Sequence, residues 1–190
     1  MAAPSVSAPR PVSVRLLGLF LAGAAVAVAL GVYGKVHDPT GEQLYTLFFT
    51  GTINLKVWFA TVALALAGLQ LLLAARLYGK INIPRKSPPW LGDAHRLTGT
   101  LAFLISLPVA YHCLWGLGFQ STDTRVVLHS LFGCFFYGVF TIKVLSVRLH
   151  GLPDWLLPLV GGVTFAGLAG LWATSSLWFI TSRPAGLPLF

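Results

Sequence analysis

Residues 97–147 read LTGTLAFLISLPVAYHCLWGLGFQSTDTRVVLHSLFGCFFYGVFTIKVLSV, which is two long apolar segments joined by a short polar turn. One histidine lies near the turn in each segment, His112 in the first and His129 in the second. Apolar segments of this length are typical of transmembrane helices. If the two helices are antiparallel, the rise of about 1.5 Å per residue places both imidazoles at a similar depth near one membrane face.

The composition is that of an integral membrane protein. Of the 190 residues, 56% are hydrophobic and 9% are charged, whereas soluble domains carry about 25% charged residues. The formal net charge of +8 comes from basic residues in loops between apolar runs, a distribution that reports membrane orientation rather than nucleic-acid binding. The two cysteines, Cys113 and Cys134, lie within apolar segments, so neither a disulfide framework nor a zinc site is indicated.

Five apolar segments separated by polar loops predict an all-α membrane bundle of five transmembrane helices. Residues 1–13 are expected to form a disordered tail, residues 14–182 a single transmembrane domain and residues 183–190 a short C-terminal tail. No convincing cleavage site follows the first segment, which favours an uncleaved span over a signal peptide. The predicted segments are residues 16–34, 57–75, 97–122, 126–147 and 155–180.

The distribution of lysine and arginine predicts the orientation of the bundle. Nine basic residues belong to the side of the N-terminus and four to the opposite side. Because cytoplasmic loops carry an excess of positive charge, we expect a cytoplasmic N-terminus and an external C-terminus in the cell membrane. The nine are Arg10, Arg15, Arg76, Lys80, Arg85, Lys86, Arg96, Lys143 and Arg148, and the four are Lys35, Lys56, Arg125 and Arg183.

The two histidines of the hairpin predict a haem site. A histidine inside hydrocarbon is costly, so it normally serves a function, and two inward-facing imidazoles suit a six-coordinate haem b. Gly116 and Gly133 follow His112 and His129 on the same helix faces and leave room for a flat ring. Arg125 shares the face of His129 and is placed to hold a haem propionate. The alternative is that the two histidines are hydrogen-bonded within the bundle and only stabilise helix contacts.

A second group of polar residues is expected at the cytoplasmic boundary. His95, Lys143 and His150 are candidates for a second haem or for the headgroup site of a quinone. On an ideal helix His95 and His112 are about 100° apart, so two stacked haems would require the kink expected at Pro108 to realign them. For Lys143 alone, the simpler interpretation is a side chain that reaches the nearby membrane interface.

Two stretches carry a resemblance to known families. The run HRLTG at residues 95–99, a histidine near the far end of the same helix and another early in the next resemble the cytochrome b561 and ferric-reductase-like transmembrane superfamily. More narrowly, residues 95–120 and 125–145 are similar to small uncharacterised actinobacterial membrane proteins. The similarity covers residues 57–180, which is most of the chain.

This resemblance implies a haem-bearing bundle that moves electrons across or along the membrane. It implies that His112 and His129 are axial ligands and that His95 is either a second-site ligand or an interfacial residue. The expected function is electron transfer between the quinone pool or a neighbouring respiratory complex and an external iron–sulfur or c-type partner. Because no flavin or nicotinamide domain is present, we expect an electron-transfer subunit in the lipid membrane rather than a self-contained reductase. The alternative function is a cofactor-free subunit that scaffolds a larger membrane complex.

Overall fold

The computed structural model describes residues 11–42, 45–81 and 88–182. Within these ranges every regular element is helical, as the sequence predicts. The α-helices are α1 (Val12–Val36), α2 (Thr52–Leu77), α3 (Leu91–Tyr111), α4 (Thr124–Arg148), α5 (Leu156–Trp172) and α6 (Trp178–Ser182).

Five helical stretches are long and apolar enough to cross a membrane, so the predicted five-span bundle is confirmed by length and composition. The first begins at Val12, inside the predicted N-terminal tail, and the C-terminal residues 183–190 lie outside the described residues. The third begins at Leu91, earlier than predicted, and its charged first turn carries an exposed ion pair of 3.1 Å between Asp93 and Arg96.

Two of the spans change from α-helix to π-helix at the same end of the bundle. The third span continues from α3 through the π-helical turn His112–Leu117, and the fifth continues from α5 through the π-helical turn Ala173–Leu177 into α6. We call this end the cavity end, and the opposite end, where α1 and α3 begin, the basic end. Isolated π-helical turns within α-helices frequently lie at functional sites.

Pro108 lies one turn before the first π-helical turn. It has no N–H to donate to the preceding turn of α3, and its own carbonyl accepts hydrogen bonds from the Tyr45 hydroxyl and the His112 N–H. Burial, with a smaller contribution from Tyr111, raises the pKa of Tyr45, so its phenol remains a neutral donor. The helix therefore departs from regular geometry immediately before His112.

The five spans form a closed ring. Helix α4 packs between α1 and α5, and α2 packs between α5 and α3. The ring closes at the cavity end, where the first π-helical turn packs against α1 and the Phe119 N–H donates to the Gly34 carbonyl over 2.6 Å. Across the ring, α3 and α4 meet through side chains, including the stacked rings of Phe103 and Phe140, whose centroids are 4.4 Å apart.

Two glycines let α1 and α4 touch backbone to backbone. A Cβ atom at Gly23 would lie 2.7 Å from the Gly138 carbonyl oxygen, and one at Gly138 would lie 2.7 Å from the Gly23 carbonyl oxygen. Lipid offers no hydrophobic driving force for helix association, so close packing of small residues supplies much of it. This contact joins the first span to the fourth, and so fixes the order of helices in the ring.

The polar turn of the hairpin is short because both of its ends are closed by specific contacts. Gly118 has φ +68°, and a Cβ atom there would lie 2.8 Å from the Gly34 carbonyl oxygen, so a larger residue is strained and obstructed. At the other end, Asp123 caps α4 by accepting a hydrogen bond of 3.0 Å from the Val126 N–H. His129 therefore lies about one and a half helical turns after the start of α4.

Candidate functional site

A cavity of about 440 Å³ lies inside the ring at the cavity end. All five spans contribute to its walls, which are mainly aliphatic and aromatic, and both π-helical turns line it. Sites for small molecules and cofactors are mostly apolar with a few convergent polar groups. The polar or ionisable side chains on this cavity include Lys56, Ser106, Cys113, Arg125, His129 and Tyr137.

His129 lines this cavity, and its environment assigns its protonation. Its Nδ1 lies 3.1 Å from the Thr174 hydroxyl oxygen, and that hydroxyl donates to the Gly170 carbonyl over 2.7 Å. Since a hydroxyl has one proton, the Thr174 oxygen accepts from His129, which places the imidazole proton on Nδ1. The other ring nitrogen, Nε2, then keeps the lone pair that binds metals.

Arg125 also lines the cavity, one turn before His129. Its Nη1 donates to the Thr174 carbonyl over 2.9 Å, and its guanidinium carbon lies 3.9 Å from the centroid of the Trp178 ring. Asp123 lies 3.9 Å from Nη2. The backbone and side chain of Thr174 therefore hold Arg125 and His129 in a fixed relation at the cavity wall.

Gly133 follows His129 by one helical turn and lines the cavity, as expected. A Cβ atom at this position would meet only Leu171 Cδ2, at an ordinary contact distance of 3.8 Å. The wall beside the imidazole is therefore open and flat.

His112 does not line the cavity. It is 7% exposed, and its ring packs beside Gly116, where a Cβ atom would lie 3.3 Å from His112 Nε2 and 3.4 Å from the Glu42 carbonyl oxygen. Gly116 therefore makes room for the His112 ring and the loop after α1, and not for a macrocycle. His112 Nδ1 is buried without a hydrogen-bond partner among the described residues. The structure does not bring His112 and His129 together around this cavity.

Cys113, the residue after His112, faces the cavity instead. Successive residues on a helix point about 100° apart, so an expected depth alone left the direction of His112 undetermined. The Cys113 thiol interacts with the side chains of His129 and Lys56. The sequence indicated no ligand role for Cys113, and the second predicted segment began only at residue 57, whereas Lys56 lies in the first turns of α2.

A model for a family described as "Family of unknown function (DUF6529)" matches residues 16–186. The chain belongs to this family. No curated protein and no solved structure matches the chain. The match covers four spans in full and all of the first except residues 12–15, and with them the whole cavity.

Nearer the basic end, the DUF6529 chain gathers a second polar group. The Gln70 amide, in a side chain that is 8% exposed, donates to the Thr98 hydroxyl over 2.7 Å and to the His95 carbonyl. The His95 ring lies near Lys143, and its Nδ1 is buried without a hydrogen-bond partner among the described residues. Lys143 is half-buried and close enough to His95 to interact with it electrostatically.

His150 does not belong to this group. It is exposed, it follows the end of α4, and it lines a groove between α1 and α4. Its carbonyl accepts a hydrogen bond of 2.6 Å from Arg15. The three residues expected to form one second site thus have two different environments.

Proposed function

We propose that this DUF6529 protein is a membrane-embedded electron carrier that binds haem b in the cavity, with His129 as an axial ligand. The observation that carries the proposal is the His129 imidazole, which lines an apolar cavity while Thr174 holds its Nδ1. Metal-binding histidines typically use their second nitrogen in such an orienting hydrogen bond. The sequence resemblance stated above is the proposal's other support.

The residues around His129 suit a haem. Its porphyrin is flat and apolar, and its two propionates are anionic. The cavity volume of about 440 Å³ falls within the range of roughly 300 to 1,000 Å³ of small-molecule sites. Gly133 leaves open wall beside the imidazole, and Lys56 and Arg125 supply positive charge for carboxylates.

The donor set favours haem over a bare metal ion. Among the described residues, no three His, Cys, Asp or Glu side chains gather in a group that could hold a metal. Haem iron takes four of its ligands from the porphyrin and only one or two from the protein. When bound, the haem would supply the one-electron chemistry; the chain would hold the imidazole and exclude water.

Cys113 replaces His112 as the second ligand in this proposal. Its thiol is a soft donor that lines the same cavity as His129, and cysteine is an established haem ligand. We expect Cys113→Ala to change the haem from six- to five-coordinate, seen as a shift of the Soret band and a high-spin electron paramagnetic resonance signal. His112→Ala should leave both unchanged. A high-spin signal in His112→Ala with none in Cys113→Ala would restore the two-histidine pair.

The basic residues determine the proposed orientation of the chain in the membrane. With the basic end in the cytoplasm, the cavity lies near the external face, where an iron–sulfur or c-type partner could exchange electrons with the haem. Within the membrane, the haem is proposed to exchange electrons with the quinone pool or a neighbouring respiratory complex. The His95–Lys143 group is the candidate site for a quinone headgroup, because His95 Nδ1 is buried and without a partner among the described residues.

The proposal is tested by the reduced-minus-oxidised absorption spectrum of protein purified after haem-replete expression. We expect reducible Soret and α bands in the wild type and in His37→Ala, whose ring lies outside the cavity. We expect neither band in His129→Ala, with unchanged helical content by circular dichroism. Absence of these bands from the wild type would contradict the proposal of a cytochrome and favour the cofactor-free scaffolding subunit.

A further inference from the structure

A groove of about 610 Å³ runs between α1 and α4 at the basic end. Arg15, Arg148 and His150 lie along it, and the rest of its lining is aliphatic side chains and Gly18. This groove is on the outside of the ring and shares no lining residue with the cavity. A site here is independent of whether the cavity binds haem.

The groove carries positive charge that no acidic side chain of the described residues pairs with. Among the described residues the ion pairs are Asp93–Arg96 and Asp123–Arg125, and neither involves the groove. Arg15 Nη1 donates to the His150 carbonyl over 2.6 Å, which holds its guanidinium in place and leaves its other N–H groups for a ligand. Two guanidinium groups at one groove therefore lack a counter-anion within the part of the chain that the structure describes.

The loop after α4 is built to approach Arg15. Gly151 has φ +71°, and a Cβ atom there would lie 3.2 Å from Arg15 Nη1. A larger residue would be strained by its backbone and would crowd the guanidinium. Glycine at this position thus lets the His150 carbonyl reach Arg15 and fixes one wall of the groove.

The apolar part of the groove has room for a hydrocarbon chain. No atom lies within 4 Å of where a Cβ atom at Gly18 would stand, although the next residue, Leu19, is 2% exposed and packed in the bundle. Gly18 therefore leaves an open strip along an apolar floor, directly adjoining the two arginines.

We infer that this groove binds one phospholipid with a net negative head group. Its phosphate would lie between Arg15 and Arg148, because guanidinium groups pair with phosphate oxygens, and an acyl chain would lie over Gly18. Basic pockets between transmembrane helices at the membrane surface recognise anionic head groups. A zwitterionic lipid suits the site less well, because the groove lining offers no carboxylate for a head-group amine.

Native mass spectrometry of the full chain in detergent tests this inference, with phosphatidylglycerol and phosphatidylcholine titrated separately. We expect the wild type to retain one phosphatidylglycerol and to bind phosphatidylcholine more weakly. Each basic side chain at an anionic lipid surface contributes roughly fivefold to affinity, so Arg15→Gln with Arg148→Gln should weaken phosphatidylglycerol binding by roughly 30-fold. Equal affinity for both lipids in the wild type would overturn the inference.

Two controls separate this site from general electrostatics. Arg96→Gln removes a charge at the same end of the bundle but away from the groove, and it should weaken phosphatidylglycerol binding by no more than the roughly fivefold of one unspecific charge. Gly18→Leu fills the strip without changing charge, and it should abolish the retained lipid while the fold persists. Inorganic phosphate should not displace the lipid. Losses as large in Arg96→Gln, full retention in Gly18→Leu, or displacement by phosphate would each contradict the site as described.

Discussion

The hydroxyl of Thr174 decides which nitrogen of His129 carries a proton, and so whether the imidazole offers a lone pair to the cavity. A hydroxyl that already donates to the Gly170 carbonyl can only accept from the ring. The same hydrogen bond limits rotation of the ring. In the proposal, Thr174 is therefore a positioning residue, which would act on the haem through the histidine.

Thr174→Val should remove this hydrogen bond while keeping the side-chain volume. We expect haem affinity to fall by roughly 10- to 100-fold, as for other partners of metal-binding histidines, with little change in thermal stability. Thr181→Val is the matched control, because the Thr181 hydroxyl also donates back to a helix carbonyl, at 2.9 Å, but lies outside the cavity. Haem titration of the apoproteins measures both; equal affinity in the two variants would remove Thr174 from the proposal.

The sequence located part of this site and missed the rest for identifiable reasons. Helical spacing placed Arg125, His129 and Gly133 on one face, and all three line the cavity, because α4 is a regular helix throughout that face. The same reasoning did not place His112, because an expected depth does not determine which way a side chain points when successive residues differ by about 100°. Cys113 was missed because an isolated cysteine in an apolar run is ordinarily a packing residue.

At the scale of elements, the contact of α1 with α4 shows that an apolar sequence does not predict which helices pack together. The number of helices follows from the length of uncharged runs, and this was predicted. The pairing of helices does not follow from the sequence, because a span that is apolar on all faces has no pattern that indicates which helix it packs against. Here the pairing depends on Gly23 and Gly138, which are recognisable only once the two backbones are seen to touch.

Gly23→Ala should destabilise the bundle. Its Cβ atom would lie 2.5 Å from Ile142 Cγ1 and 2.7 Å from the Gly138 carbonyl oxygen, and that backbone atom cannot move aside. We expect a loss of about 1–3 kcal/mol, as for other overpacked sites, measured by thermal unfolding in detergent. Gly161→Ala, at a helical position with no atom within 4 Å of the new carbon, should be neutral or slightly stabilising. A Gly23→Ala variant as stable as Gly161→Ala would show that this close contact is absent.

At the scale of the whole molecule, the ring places its two polar regions at different depths. The cavity with His129 lies at one end, the His95–Lys143 group lies nearer the other, and the stacked rings of Phe103 and Phe140 lie on the same α3–α4 seam between them. An electron carrier at the cavity end is useful to an external partner only if that end faces outward. The orientation of the chain is therefore part of the proposal.

Labelling of single cysteines in intact cells measures this orientation. In a variant without Cys113 and Cys134, a cysteine at exposed Asp38 should react with a membrane-impermeant maleimide, and one at exposed Asp154 should react only after the cells are opened. The reason is the excess of basic residues at the end that carries Asp154. The reverse pattern would place the cavity at the cytoplasmic face and exclude an external partner for it.

The central claim is that His129 binds iron from inside the cavity, and the haem-to-protein ratio of His129→Gly tests it most directly. We expect the ratio to fall close to zero in this variant and to recover when imidazole is added, because the deleted ring leaves a space of its own shape beside Thr174. A merely structural histidine would not be replaced by a free ligand in this way. A His129→Gly protein that binds as much haem as the wild type without imidazole would contradict the account.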